Sequence, residues 1–163
     1  MTNAECGMTS VPFFTEDAAV NRLQASARLW LRTPFHAHAC IRGAGVDCVH
    51  LCAAIYIECG VMEQFNPPRY TLDGGKHAPA SLIMAWLATS PQFVCLGTTV
   101  AVMPGDLVCF AFGAGRAWHV GMVLDQAKGE FVHALADIGV VISLLHEQPW
   151  AHRTAAFYRP MKS

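Results

Sequence analysis

The sequence carries little charge and never concentrates it. Its 163 residues hold 11 Lys and Arg against 12 Asp and Glu, a net charge of −1, so no basic face is available for a nucleic acid. Long apolar runs are absent as well. No stretch is long enough to cross a bilayer, and the opening MTNAECGMTSVPFF has neither the basic start nor the apolar centre of a secretory signal. Synthesis in the cytoplasm, without a membrane span, is the expectation. Repeats, low-complexity tracts and linkers are missing, and the length suits one domain. The seven cysteines contain no CxxC pair, and an odd number cannot all enter a disulfide framework. Free thiols in a reducing compartment follow.

What is present is apolar. The 53% hydrophobic content is enough for a core that needs no staples. Residues 1–14 read as a loose arm and 15–163 as the domain. Thr15 is placed to cap a helix over 15–31, with Glu16 and Asp17 in its first turn and Thr33-Pro34 ending it. Residues 32–46 read as an irregular loop. Asp47 predicts the N-cap of a second helix that closes at Gly60, and a short helix follows over about 80–89. From Pro104-Gly105-Asp106 onward the texture changes. LVCFAF, WHVGMVLD, EFVHAL, GVVISLL and TAAFYRP are short, rich in β-branched or aromatic residues, and separated by turns. Helices first and about five strands afterwards predict an α+β fold, with the helices packed on one antiparallel sheet.

One cysteine stands apart by position. If Asp47 caps the second helix, Cys48 is its first residue, and the unpaired amides of the first turn face its sulfur. Their partial positive charge favours thiolate, which predicts a lowered pKa and alkylation before the other thiols at mildly acid pH. Cys52, Cys59 and Cys109 lie inside elements, Cys95 precedes the sheet, and Cys6 is in the arm. These read as small apolar residues, and Cys48 has the same plain reading open to it.

A nucleophilic thiol needs a base. His119 and His133 sit within two consecutive strands. If the connection sets Gly121 opposite His133, the two imidazoles share one face on a diagonal, about 7 Å apart at Cβ, with no side chain at Gly121 between them. The other parity puts them on opposite faces. In the first register Cys48 attacks, His119 takes its proton and His133 orients the ring. A lone strand histidine is more often structural; a facing pair alongside a helix-start cysteine shifts that balance.

The helix ending in WLRTPF, the GVDC helix start, the PGDLV turn and strand, and HVGMVL followed by FVHA together resemble the NlpC-type peptidoglycan endopeptidases. The likeness is to the form found in phage-tail and gene-transfer-agent cell-wall peptidases, and it runs over roughly 15–160. It implies a papain-like α+β core and a Cys48–His119–His133 triad. It implies hydrolysis of amide bonds in the stem or cross-linking peptides of the bacterial wall, with no metal or cofactor. The backbone amide of Cys48 would help hold the oxyanion, with Asp47, Phe35, His36 and His38 around the site. Phe35 stands where the family usually has tyrosine, and Val49 and His50 where serine and glycine are common. His50 reads as a helix-surface residue. No wall-binding module is recognisable, so delivery by a phage tail or a lysis system is expected.

Other readings compete. His36, His38, Cys40, Cys48 and Cys52 offer soft ligands suited to zinc, although their spacing matches no usual structural site. A tail component that keeps the fold without chemistry is a second. A lipid-directed enzyme on the permuted fold is a third, but there the histidine precedes the cysteine. Arg42, Arg69 and Arg116 are candidate cations for an acidic wall peptide, though loop arginines are commonly solvated. Trp118 and Trp86 read as core sooner than as substrate platforms, and Asp106 as a turn residue.

Overall fold

The computed structural model describes residues 10–67, 69–70, 79–112 and 117–163. Among these residues, three helices, α1 (Asp17–Trp30), α2 (Cys48–Glu58) and α3 (Pro79–Thr89), accompany a hairpin of two short strands, β1 (Cys40–Ile41) and β2 (Gly45–Val46). Six further strands form one antiparallel sheet: β3 (Phe93–Gly97), β4 (Leu107–Ala111), β5 (Ala117–Asp125), β6 (Glu130–Leu135), β7 (Gly139–Leu144) and β8 (Thr154–Pro160). Their order across the sheet is β3-β8-β4-β5-β6-β7. No helix among the described residues is long and apolar enough to cross a membrane.

The α+β architecture and the last five strands are as expected from the sequence. The sheet has one strand more, because Phe93–Gly97 pairs with β8 and brings Cys95 into the sheet instead of ahead of it. This strand lacks clean alternation: of its five residues only Phe93 is buried. The loop before α2 contains the β1–β2 hairpin. Helix α1 starts two residues later than expected, with Glu16 at the N-cap and no side-chain cap. The expected arm is partly docked. Phe13 N–H donates to Pro160 O at 2.9 Å, and Phe14 is buried.

Alternation divides the sheet into two faces. Cys109, Val120, Met122, Leu124, Val132 and Tyr158 join the helices in the main core. Val108, Phe110, Val123, Phe131 and Phe157 form a second apolar layer on the far face, covered by Trp150. Helix α2 is buried on nearly every side, from Cys48 through Tyr56, because it is apolar all round and lies between α1 and strands β5 and β6. That position holds its first residue against the sheet.

Candidate active site

Asp47 caps α2 as its sequence position predicts: its Oδ1 accepts from the His50 amide at 2.8 Å. The cap is also the centre of a buried network. Asp47 Oδ2 accepts from the His38 amide at 2.7 Å and from the Tyr70 hydroxyl at 2.7 Å. His50 Nδ1 lies 3.0 Å from Asp47 Oδ1 and 2.6 Å from the Tyr70 oxygen. Burial works to raise the Asp47 carboxyl, but the bonds from His50 and Tyr70 outweigh it, and its pKa lies below the usual value. His50 is therefore not a plain surface residue. Tyr70, from the unpromising stretch NPPRY, has no sequence signal that would have found it.

The loop carrying the rim residues is held to the helix start through this network. His36 N–H donates to Val46 O at 3.1 Å, and a Cβ on Gly45 would lie only 2.8 Å from the His36 Cβ. Glycine at position 45 is what lets the loop close against β2. Phe35 bridges to Val46, while the side chains of His36 and His38 are exposed. Arg42 is engaged elsewhere: its guanidinium pairs with Glu58 and lies 5.2 Å over the Trp30 ring. Glu58 also accepts from Ser26 and Trp30, so Arg42 ties the hairpin to α1 and α2. Arg69 is exposed. Arg116 and the side chain of Trp118 lie outside the described residues. Among the described residues, no group of three or more His, Cys, Asp or Glu side chains is arranged to hold a metal ion.

Strands β5 and β6 place the histidines. Met122 opposes Val132 and Val123 opposes Phe131, a register that carried onward sets Gly121 opposite His133. The connection itself carries an irregularity that pairs Asp125 with Glu130. Face and diagonal are unchanged by it. His119 Nε2 lies 2.8 Å from His133 Nδ1, and His133 Nε2 lies 2.8 Å from Ser143 Oγ. Ser143 was missed, yet alternation in GVVISLL carried the signal: Val141 opposes His133, so Ser143 shares its face.

The β5–β6 ladder stops at Met122 and Val132, although both strands continue. Val123 N–H turns toward β4 and donates to Asp106 O at 2.9 Å. Strand alternation therefore turns Val120 N–H toward β6, where pairing has ended. The sulfur of Cys48 accepts that hydrogen bond, and the amides of Cys48 and Val49 also favour its ionised form. Thus α2 delivers the thiol to the place where β5 and β6 part, next in sequence to His119.

The electrostatics overturn the expected thiolate. Cys48 is only 2% exposed, and burial, followed by the nearby Asp47 carboxylate, pushes the thiol up to about 12 despite the three amides. Burial also pushes His119 down to about 4. His133 is pushed down to about 2, by burial and then by the charge His119 would carry. The helix-start amides do act on the sulfur, but the loss of water around it is the larger effect. Burial thus favours the neutral form of the thiol and of both imidazoles. Brief iodoacetamide treatment at pH 6 should label the exposed Cys40 and Cys95 before Cys48. Mass mapping of the labelled peptides checks this, and Cys48 labelled first would restore the thiolate.

The site thus consists of a cysteine at a helix start and a histidine pair on the adjoining strands, in a fold of helices packed on an antiparallel sheet. The model of the NlpC/P60 family matches residues 33–159, and the chain belongs to that family, whose members are in general peptidoglycan-hydrolysing cysteine peptidases. No curated protein matches. Among solved structures, an NlpC/P60 family protein from Bacillus cereus is 21% identical with a TM-score of 0.58, over 85% of this chain and 39% of that one. NlpC2 from Trichomonas vaginalis is 17% identical with a TM-score of 0.60, over 89% and 47%. The NlpC/p60 domain of the peptidoglycan hydrolase SagA is 19% identical with a TM-score of 0.52, over 87% and 98%. The chain thus spans less than half of the first two and nearly all of the third. At such identities these likenesses establish the fold alone.

Proposed function

We propose that this protein hydrolyses amide bonds in bacterial cell-wall peptides through Cys48, His119 and His133. The observation that carries the reading is the short His119–His133 contact on strands that part at the Cys48 sulfur. His119 Nε2 is engaged by His133, so Nδ1 is the nitrogen that takes the thiol proton. The matching tautomers run outward: His119 Nε2–H donates to His133 Nδ1, and His133 Nε2–H donates to Ser143 Oγ. As the proton leaves for His119, the Sγ–C bond forms and the carbonyl electrons move to oxygen, which the Cys48 amide stabilises. Collapse breaks the C–N bond, and His119 returns its proton to the departing amine. Water, deprotonated by His119, then cleaves the thioester and releases the carboxylate and the thiol.

Mass spectrometry of purified muropeptides incubated with the protein tests this. Fragments with one new amine and one new carboxylate are expected. Intact muropeptides after long incubation would favour a second reading, a catalytically silent member of the fold. Two observations favour that alternative: Phe35 has no hydroxyl, and the Cys48 sulfur is enclosed. Delivery to the wall by a phage tail or lysis system remains part of the proposal on the strength of the sequence resemblance.

The pH dependence follows from the base. His119 accepts a proton only when neutral, and its pKa is depressed to about 4. Activity per folded molecule should therefore hold from pH 7 to near pH 5 and fall as pH drops through about 4. An unperturbed histidine would give a fall through about 6.5. Stability moves in the same direction. Below about 6.5 the unfolded chain binds protons that the buried rings refuse until about pH 4 and 2. The folded state therefore loses stability on acidification, and rates must be corrected for the folded fraction. A kcat/KM profile from pH 3 to 7 checks the position of the fall.

A further inference from the structure

The far face of the sheet holds a tryptophan that the proposed chemistry does not use. The geometry points to Trp150 as a positioning residue: its indole closes over the His119–His133 pair, excludes water from it, and keeps the two rings locked together. This rests on the reading of His119 as the base.

Trp150 lies nearly parallel to His119, with centroids 5.3 Å apart and planes 28° from each other. Phe110 stacks on His119 at 6.0 Å and 26°. The Phe110 and Trp150 centroids are themselves 5.0 Å apart, so the two rings form one aromatic wall beside His119, which rotation of the imidazole would meet. Trp150 meets His133 edge-on, at 4.7 Å and 88°. One indole therefore constrains both rings, each in a different geometry.

The indole is itself fixed. It packs against Phe110 at 5.0 Å, Phe112 at 5.7 Å and Phe131 at 5.5 Å. Its backbone N–H donates to Glu147 O at 2.9 Å, and its carbonyl accepts from Arg153 N–H at 3.0 Å. Arg153 O in turn accepts from Ala111 N–H at 2.8 Å, which fastens the segment to β4. Trp150 is 9% exposed, His119 5% and His133 0%.

The charged and titratable groups around the rings are few among the described residues. His133 faces His119 from β6, and the Cys48 sulfur of α2 accepts from the backbone amide of the next residue, Val120. β4 contributes Phe110 and β7 contributes Ser143. The covering segment carries His146, Glu147, His152 and Arg153, all exposed. Burial lowers the proton affinity of both rings, and the indole is one of the aromatic walls that exclude water from them.

The test combines ring titration by NMR with kinetics in Trp150→Ala, Trp150→Leu and Trp150→Phe. Trp150→Ala should move the His119 titration up by about one pH unit or more, toward the usual imidazole value. The acid fall in kcat/KM should move with it, and kcat should drop about tenfold with KM within about twofold. Trp150→Phe should restore most of both, and Trp150→Leu should lie between. If Trp150→Ala does not fold, the Leu and Phe variants carry the comparison. Titrations and kcat unchanged in the folded variants would overturn the proposal. Should Cys48→Ala hydrolyse as well as wild type, the catalytic reading falls, whereas the ring titrations still decide whether Trp150 governs the pair.

Discussion

Cys48→Ala is expected to lower muropeptide hydrolysis by at least about 10³-fold while the protein stays folded. No other described thiol can replace it. Cys52, Cys59 and Cys109 are buried in the core, and Cys40 and Cys95 are exposed on strands that do not adjoin the histidine pair. The substitution removes one sulfur and leaves the Val120 amide without its acceptor, so stability should fall by about 1–3 kcal/mol. A loss of rate far larger than the loss of folded protein separates a nucleophile from a core residue. His119→Ala should cost a similar factor, because a neutral thiol without a base has no route for its proton. His133→Ala should cost less, on the order of 10- to 100-fold, because His133 acts through His119. The double variant Cys48→Ala/His119→Ala should be little worse than either single one, as is usual for residues that work as a unit. Rates within tenfold of wild type in Cys48→Ala would remove the thiol from the chemistry.

Asp47→Ala is the change with the largest expected effect on stability. The carboxylate is fully buried and accepts from the amides of His38 and His50, the His50 ring and the Tyr70 hydroxyl. Deleting it removes a helix cap, worth about 1 kcal/mol, and leaves several buried donors without an acceptor, at about 1–3 kcal/mol for each unsatisfied group. A loss of about 3 kcal/mol or more is expected, a fall in Tm of roughly 10 °C for a domain of this size. The loop 36–46 loses its anchor at the same time, so activity should fall with stability. Asp47→Asn keeps an acceptor for the amides and should lose less. It also removes the negative charge that raises the Cys48 thiol, so its Cys48 should alkylate faster than in wild type. A calorimetric Tm within about 2 °C of wild type in Asp47→Ala would show that the network carries little stability.

Much of the fold was legible because simple periodicity governs it. The five late strands announce themselves by β-branched and aromatic runs between turn residues. Helix α2 announces itself by an Asp at its start and a Gly beyond its end. Strand β3 did not, because it has only one buried residue and so shows no alternating pattern. The histidine pair was legible as a choice between two registers, and the β5–β6 ladder took the one that sets both rings on one face. Partners supplied by distant chain were not legible. Tyr70 reaches Asp47 from a proline-rich loop, and Trp150 reaches the imidazoles from the connection before β8. Neither contact leaves a trace in local spacing. The protonation state was misread for a related reason. The helix-start amides are a local feature, but the burial that outweighs them is produced by the whole sheet and its covering segment.

The central claim is that the Cys48 sulfur forms the bond to the substrate carbonyl while His119 takes its proton. Trapping the acyl-enzyme tests it most directly: mix the protein with muropeptide, quench in acid within the first turnovers, and map the digested protein by mass. The account predicts a stem-peptide acyl group on the fragment containing Cys48, and its absence in His119→Ala. Hydrolysis that proceeds with the acyl group on another residue, or with Cys48 never modified, would contradict it.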